Sequence, residues 1–352
     1  MFDGGEAIRK LALNVARYSG LAPLARPFVG GIGAILMLHR VTATPEKPLG
    51  INRHLNIAPD FLDAVIADMK AGGYAFVSLD EAIERIRAGG AGGQFATITA
   101  DDAYRDNLHE ALPVLEKHGA PLTIYVAPAM IDGTADLWWD VIDDVVNAGD
   151  SLTLDMPGGE VVLDCSTPAR RYEAHRRLHD HLTVDVAEED QRAVLHRLAA
   201  SCGVDPGAPA RNTLMDWNEI GQVAAHPLVT IGAHTVNHYN LKRLSEDRAR
   251  LELTGAIDLI EDRLGKRPIH LAYPYGYATA VGCREVRLAC EAGYVSAVTT
   301  RHGVLRPEHA GHLHALPRIS VNGRYQSVAH IRTMLSGITT PLANRGKMLV
   351  TV

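Results

Sequence analysis

Short apolar runs alternate with stretches of helical periodicity along most of this 352-residue chain. Between the runs, apolar side chains recur at helical i, i+3, i+4 and i+7 positions, as in the series Leu62, Val65, Ile66 and Met69. Alternating strands and helices predict parallel βα units with the helices outside. We therefore expect an α/β fold. The predicted strands lie at residues 34–38, 74–78, 95–99, 122–126, 228–231, 269–272 and 295–298.

Side chains capable of chemistry follow several of these predicted strands directly. In a parallel barrel, the carboxyl ends of the strands share one face, where active sites are built from the βα loops. Residues that are distant in sequence are therefore expected to converge there. They are Asp101 and Asp102 after residues 95–99, His234 and His238 after residues 228–231, residues 273–275 after residues 269–272, and His39 after residues 34–38.

The spacing of His234 and His238 predicts a metal site. An H-x-x-x-H pair on a helical turn places both imidazoles on one side, where they can bind one cation. A carboxylate from another strand end completes a three-ligand set that leaves positions for water and substrate. We expect one divalent ion, zinc first, with manganese, cobalt and nickel as alternatives. Histidines at this spacing also occur as ordinary polar surface, and an aspartate also occurs as a helix N-cap.

The adjacent carboxylates of Asp101 and Asp102 predict a division of labour. In a regular strand, neighbouring side chains point to opposite faces. Both can serve one site only if the strand ends before them, which a turn at Ala103 and Tyr104 allows. One carboxylate then binds the cation, which acidifies water and polarises a carbonyl, while the other accepts the proton.

Three sequence motifs resemble those of the polysaccharide deacetylases, the nodulation-type N-deacetylases of carbohydrate esterase family four. The segment T-A-D-D-A-Y at residues 99–104 is similar to the T-F-D-D-G-Y motif of that family. The segment H-T-V-N-H at residues 234–238 is similar to H-[ST]-x-x-H, and L-A-Y-P-Y-G at residues 271–276 resembles the third motif. The similarity extends from Met37 to Arg318, except for residues 141–210.

This resemblance implies a distorted (β/α) barrel with fewer than eight strands. It also implies a metal-dependent hydrolase that removes the N-acetyl group from an amino sugar in a saccharide or glycoconjugate. Asp101 is implied as the general base and the backbone N–H of Tyr275 as the oxyanion donor. The implied metal ligands are Asp102, His234 and His238.

The sequence departs from the family pattern at several positions. Ala100 and Ala103 replace a phenylalanine and a glycine, and Ala272 stands where many members have an arginine that orients the base. We expect Arg318, in its Leu-Pro-Arg context, to take over that role. The general-acid histidine has no clean counterpart. The candidates are His314 first, then His312 and then His39, and the expected substrate contacts are Tyr104, Tyr273, Pro274 and His39.

Two other functional hypotheses are compatible with these motifs. The enzyme could be a deformylase or another amidase that acts on a carrier-linked amino sugar. The alanine replacements at positions 100, 103 and 272 are also compatible with a non-catalytic sugar-binding relative.

Composition and charge limit the kinds of partner that we expect for this protein. The net charge of −6 argues against a nucleic-acid interface, and the four cysteines form no C-x-x-C pair. The acidic start of the chain does not resemble a signal peptide, so we expect a cytoplasmic protein. An amphipathic helix at residues 8–18 could make a weak membrane-surface contact.

We expect three regions along the chain. They are a helical segment at residues 1–30, a barrel at residues 31–340 with a helical insertion at about 141–210, and a tail at residues 341–352. The insertion is charged, so we expect His175, His179, His181 and His196 to be exposed.

Overall fold

The computed structural model describes residues 13–15, 28–44, 47, 49–156 and 158–352. The predicted helix at residues 8–18 therefore lies, apart from residues 13–15, outside the described residues. The strands of the described chain are β1 (Gly33–Leu38), β2 (Arg40–Val41), β3 (Asn56–Ile57), β4 (Ala75–Phe76), β5 (Phe95–Ala100), β6 (Leu122–Val126), β7 (Ser151–Met156), β8 (Gly159–Asp164), β9 (Val229–Ala233), β10 (His270–Ala272), β11 (Ser296–His302) and β12 (Leu316–Ser320).

Helices fill most of the sequence between the strands. Ser78 and Ser245 accept hydrogen bonds from the first turns of the helices that begin at Leu79 and Glu246, and so cap them. The helices are α1 (Pro59–Ala71), α2 (Leu79–Arg87), α3 (Leu112–His118), α4 (Pro128–Ile131), α5 (Trp138–Asn147), α6 (Pro168–Asp180), α7 (Gln191–Ser201), α8 (Ala208–Thr213), α9 (Trp217–Ala224), α10 (Glu246–Leu264), α11 (Cys283–Glu291), α12 (Val328–Leu335) and α13 (Thr339–Ala343).

Seven parallel strands close into a barrel. Around the barrel they follow the order β1, β12, β11, β10, β9, β6 and β5, and the pairing of β1 with β5 closes the ring. The short strand β4 adds to β5 as an eighth strand outside the ring. The predicted distorted (β/α) barrel with fewer than eight strands is confirmed.

Burial explains why the barrel strands read as continuous apolar runs. Every residue of β1, β5 and β6 is buried, as expected when parallel strands are covered on both faces. The helices cover the outside with one apolar face each. In α1, the buried residues are the predicted series Leu62, Val65, Ile66 and Met69.

Residues 138–213 form a separate layer that we call the cap. The cap contains α5, α6, α7, α8 and the antiparallel hairpin of β7 and β8. It has an apolar core of its own, to which Leu152, Leu163, Leu178 and Leu195 contribute. The cap is therefore a packed substructure joined to the barrel.

The predicted helical insertion is confirmed, and it also contains a hairpin that was not predicted, at residues 151–164, in which Leu152 and Leu154 alternate with exposed residues. The predicted exposure of the cap histidines is wrong for two of the four. His175 and His181 are buried, although the charge of the segment predicted exposure. Both lie on the inner side of helical turns that pack on the cap core, whereas His179 and His196 are exposed.

The end of the chain packs against the barrel. Val350 is buried, and its carbonyl oxygen accepts a hydrogen bond from Nε2 of His309 at 3.1 Å. Within the described residues, we find no helix with the length and apolar character needed to span a bilayer.

Candidate functional site

The chemically active residues meet at the carboxyl end of the barrel. His39 follows β1, Asp101 and Asp102 follow β5, and His234 and His238 follow β9. Each group comes from a different strand, and the parallel arrangement brings the groups together at the open carboxyl end of the barrel, which we call the mouth. The residues that were predicted to converge at the strand ends therefore do so in the structure.

A strained turn after β5 places the carboxylates of both Asp101 and Asp102 at the mouth. The strand ends at Ala100, and the φ angles of Asp102 and Ala103 are 70° and 55°. Left-handed backbone is uncommon for residues other than glycine and costs of order 1–3 kcal/mol per residue. Neighbouring bonds hold the turn, since Asp101 N–H donates to the Leu38 carbonyl at 3.1 Å and Met215 N–H donates to the Ala103 carbonyl at 3.1 Å.

Asp102, His234 and His238 form a compact donor set. Oδ1 of Asp102 lies 3.6 Å from Nε2 of His234 and 3.4 Å from Nε2 of His238. One ligand atom from each residue lies within 4.8 Å of the others, and all three side chains are buried. Within the described chain, Oδ1 of Asp102 accepts no hydrogen bond. Two imidazole nitrogens and an unpartnered carboxylate oxygen at these separations fit a divalent cation such as zinc.

The protonation states of this set also suit a cation. Burial lowers the pKa of both histidines, and the pKa of His238 falls well below its usual value. Both rings are therefore neutral, the form that binds metals. Burial and the neighbouring Asp101 charge raise the pKa of the Asp102 carboxyl, a penalty that a bound cation would remove.

The local conformation of the histidine pair differs from the prediction. Residues 234–238 form an irregular loop rather than a helical turn, with φ angles of 60° at Thr235 and 55° at His238. Nδ1 of His234 donates a hydrogen bond to the Ala272 carbonyl at 2.7 Å, which leaves the lone pair of Nε2 free to bind a metal ion. The two rings still meet edge to face, with their centroids 4.8 Å apart.

Asp101 is held by Arg318 of β12. Nη1 of Arg318 lies 2.7 Å from Oδ1, and Nη2 lies 2.7 Å from Oδ2. Burial alone would raise the pKa of the Asp101 carboxyl, but the charge and hydrogen bonds of Arg318 outweigh burial and hold it below its usual value. Asp101 is therefore ionised, and Arg318 occupies the orienting position that the sequence predicted for it.

The histidine beside Asp101 is His39. Its Nε2 lies 3.9 Å from Oδ2 of Asp101, and burial lowers its pKa to about 4. His314, the first candidate for the general acid, lies before β12 and donates from Nε2 to the Tyr294 carbonyl at 2.7 Å. His312 also precedes β12 and is exposed. The assignment to His314 is corrected because the start of a parallel strand lies at the opposite end of the barrel.

Tyr275 lies at the mouth with a left-handed φ of 62°. Within the described chain, its backbone N–H donates to no protein acceptor. Its hydroxyl accepts a hydrogen bond from Nε1 of Trp138 at 2.9 Å, and its ring centroid lies 5.0 Å from that of His238. The cap residue Trp138 therefore fixes a side chain of the site.

The expected substrate contacts separate into two groups. Tyr273 is buried, and its hydroxyl donates to the His314 carbonyl at 2.9 Å, so the assignment of Tyr273 as a substrate contact is corrected. Pro274 is also buried. Tyr104 is fully buried as well, but its hydroxyl has no hydrogen-bond partner among the described residues, and its ring packs under the guanidinium of Arg40 at 5.2 Å. Tyr104 and His39 remain beside the Asp101 and Asp102 carboxylates.

A cavity of about 410 Å³ lies next to this group, and its lining includes Arg40, Asn52 and Asp140 but no residue of the donor set. Arg40 connects it to the site by stacking on Tyr104, and Asp140 lies near enough for its charge to act on Asp102. Nδ2 of Asn52 donates to Oδ1 of Asp140 at 2.9 Å. The sequence assigned no role to Asp140, although its Trp-Trp-Asp context was the available signal.

Comparison with known proteins supports the sequence motifs. Residues 188–294 match the family model of polysaccharide deacetylases, a segment that contains His234, His238 and Tyr275. This match confirms the resemblance to that family. No curated protein matches the chain.

Solved structures share the fold at low sequence identity. The deacetylase PplD from Streptococcus pyogenes, solved in complex with acetate, has a TM-score of 0.54 and 18% identity, with 82% of this chain and 92% of that chain covered. IcaB from Ammonifex degensii has a TM-score of 0.53 and 18% identity, covering 87% and 97%. The polysaccharide deacetylase BC0361 from Bacillus cereus has a TM-score of 0.52 and 16% identity, covering 86% and 68%.

Proposed function

We propose that this protein is a metal-dependent hydrolase that removes an N-acetyl group from an amino sugar in a saccharide or glycoconjugate. The observation that carries the proposal is the pairing of a three-residue donor set with a separate, ionised carboxylate. Asp102, His234 and His238 form the donor set, and Asp101 stands beside it under the control of Arg318. The family match and the structural neighbours named as deacetylases support this chemistry.

A divalent cation bound by Asp102, His234 and His238 would polarise the acyl carbonyl and lower the pKa of water. Asp101 accepts the proton of the attacking water, because it is ionised and adjoins the donor set. Arg318 orients both oxygens of Asp101 through its paired hydrogen bonds.

Two further groups act on the charges that develop as the amide bond breaks. The backbone N–H of Tyr275 donates to the oxyanion, since it has no acceptor within the described chain. His39, whose Nε2 lies 3.9 Å from Oδ2 of Asp101, is neutral; it accepts the proton that Asp101 took from the water and passes it to the leaving nitrogen. The C–N bond then breaks, and acetate and a free amine are the products.

The cavity beside the mouth suits the sugar. Asn52, Arg40 and Asp140 present amide, guanidinium and carboxylate groups, which pair with hydroxyl groups of a saccharide. The intact contact between Asp101 and Arg318 favours catalysis over simple sugar binding, because a binding protein has no need of an ionised buried base. The acyl group is acetyl in this proposal, and formyl is the alternative that the test includes.

The test measures acid release from defined substrates. Zinc-loaded protein is incubated with N-acetylglucosamine oligomers and with their N-formyl counterparts, and acetate and formate are quantified. We expect acetate release that disappears in Asp101→Asn and in His234→Ala. Acetate release that persists in Asp101→Asn would refute the proposed base. Release of neither acid by a zinc-loaded, folded protein would favour the sugar-binding alternative.

A further inference from the structure

The loop that presents His238 adopts a conformation that needs external support. Thr235 and His238 both have left-handed φ angles, 60° and 55°, and neither is glycine. Such residues persist only where surrounding contacts determine the backbone, because each costs of order 1–3 kcal/mol. The groups that support this loop therefore control where the imidazole of His238 lies.

The barrel supplies one support through Glu252 of α10. This carboxylate is fully buried, and its Oε2 accepts hydrogen bonds from the N–H groups of Val236 at 3.1 Å and Asn237 at 2.8 Å. Its Oε1 accepts from Nδ2 of Asn237 at 2.6 Å. The middle of the loop is therefore fixed by the barrel helix α10.

The cap supplies a second support through Glu188. Only 3% of this residue is exposed. Its Oε1 accepts a hydrogen bond from the N–H of Asn240 at 2.8 Å, two residues after His238. Its Oε2 accepts from Nη1 of Arg243 at 3.1 Å, and Arg243 also donates to the Val186 carbonyl. The exit of the loop is therefore fixed by the cap.

We propose that Glu188 is a positioning residue through which the cap determines the affinity of the metal site. The inference rests on the metal site of the proposed function. Removing the carboxylate leaves the buried N–H of Asn240 without its acceptor and removes one of the two cap contacts of Arg243, so the exit of the loop relaxes. Nε2 of His238 then spends less time within reach of Oδ1 of Asp102. Docking of the cap and binding of the cation are thus coupled through Glu188, in addition to the contact of Trp138 with Tyr275.

The adjacent Glu189 provides a matched control. It bonds from the same cap segment to Nε of Arg248 at 2.9 Å, but its side chain is 55% exposed and it contacts neither Asn240 nor Arg243. Arg248 also lies 3.3 Å from Oε1 of Glu252, and Glu189→Ala leaves this ion pair and the hydrogen bonds of Glu252 to the loop in place. Glu188→Ala removes both acceptor atoms. Glu188→Gln keeps one acceptor oxygen for the Asn240 N–H and removes the charge.

The experiment measures the zinc dissociation constant of the full chain by competition with a chromophoric chelator, without substrate. Residues hydrogen-bonded directly to metal ligands typically contribute 10- to 100-fold in affinity. Glu188 acts two residues away from His238, so we expect the lower end of this range, about a tenfold weaker affinity, in Glu188→Ala. The loss is smaller in Glu188→Gln and absent in Glu189→Ala. Tryptophan fluorescence verifies folding, and Glu188→Gln decides the question if Glu188→Ala does not fold.

Each outcome separates this inference from the proposed function. Equal zinc affinity in the wild type and a folded Glu188 variant would overturn the role of Glu188 and leave the proposed function standing. An equal loss in the Glu188 and Glu189 variants would overturn it as well, because a general weakening of the cap would explain both. A wild type that binds no zinc would contradict the metal site itself.

Discussion

The guanidinium of Arg318 faces the carboxylate of Asp101 with both terminal nitrogens, each 2.7 Å from one carboxylate oxygen. The two residues are 217 positions apart in the sequence, and both are almost completely buried. Paired hydrogen bonds of this kind fix the plane as well as the position of a carboxylate. The base of the proposed reaction is therefore oriented by the last strand of the barrel.

Removal of Arg318 is expected to destabilise the protein through the charge left behind. Arg318→Met leaves Asp101 as a buried, unpaired carboxylate, which costs about 3–5 kcal/mol in comparable pairs. The double variant Arg318→Met with Asp101→Asn should recover much of this loss, because no buried charge remains. Urea unfolding measures the free energies, and additive losses in the double variant would contradict the pairing.

Substitutions of His39 and His314 are expected to have different effects on kcat. His39→Gln should lower kcat by about 10²- to 10⁴-fold, the usual contribution of a general acid or base. His314→Gln removes a hydrogen bond to the Tyr294 carbonyl at the other end of the barrel and should leave kcat near the wild-type value. Steady-state kinetics with a saccharide substrate compares them. A larger effect in His314→Gln would contradict the assignment of proton transfer to His39.

Trp138 and Tyr275 are expected to act as one unit. Trp138→Phe and Tyr275→Phe each remove the same hydrogen bond of 2.9 Å, which is worth about 1 kcal/mol. If this bond steadies the Tyr275 backbone against the oxyanion, each variant should lower kcat roughly fivefold. The double variant should be no slower than either single variant, and multiplied effects would show that the two residues act independently.

Acid is expected to weaken the fold through buried histidines such as His302. Burial lowers its pKa from 6.5 to about 4, so the unfolded chain binds a proton more readily than the folded one. The stabilising effect of the neutral His302 on the free energy of unfolding is fully present above pH 6.5. It is lost as the pH falls towards 4, and the loss is about 3 kcal/mol at most. The unfolding free energy of His302→Gln should therefore fall less steeply over this range. Identical pH profiles would contradict this account of His302.

The sequence predicted the barrel well because its strands are buried on both faces. Residues 122–126 and the start of β5 were predicted from their apolar runs, and α1 from the helical spacing of Leu62, Val65, Ile66 and Met69. Asp101, Asp102, His234 and His238 were brought together by the rule that strand ends share a face. Sequence periodicity carries this information because it reflects burial directly.

The remaining features depend on contacts that periodicity does not encode. The hairpin at residues 151–164 was missed because charged residues surround it, although Leu152 and Leu154 alternate as in a strand. His314 was preferred to His39 because of its motif context. The rule of strand ends favours His39, since His314 precedes its strand. The support from Glu188 joins two substructures and has no local sequence signal.

The most direct test of the account is to measure zinc content and acetate release together in Asp101→Asn and Asp102→Asn. The account assigns proton transfer to Asp101 and cation binding to Asp102. It predicts that Asp101→Asn keeps one zinc ion per chain and releases no acetate, whereas Asp102→Asn loses both. Acetate release by Asp101→Asn, or equal zinc loss in both variants, would contradict the division of labour between these adjacent carboxylates.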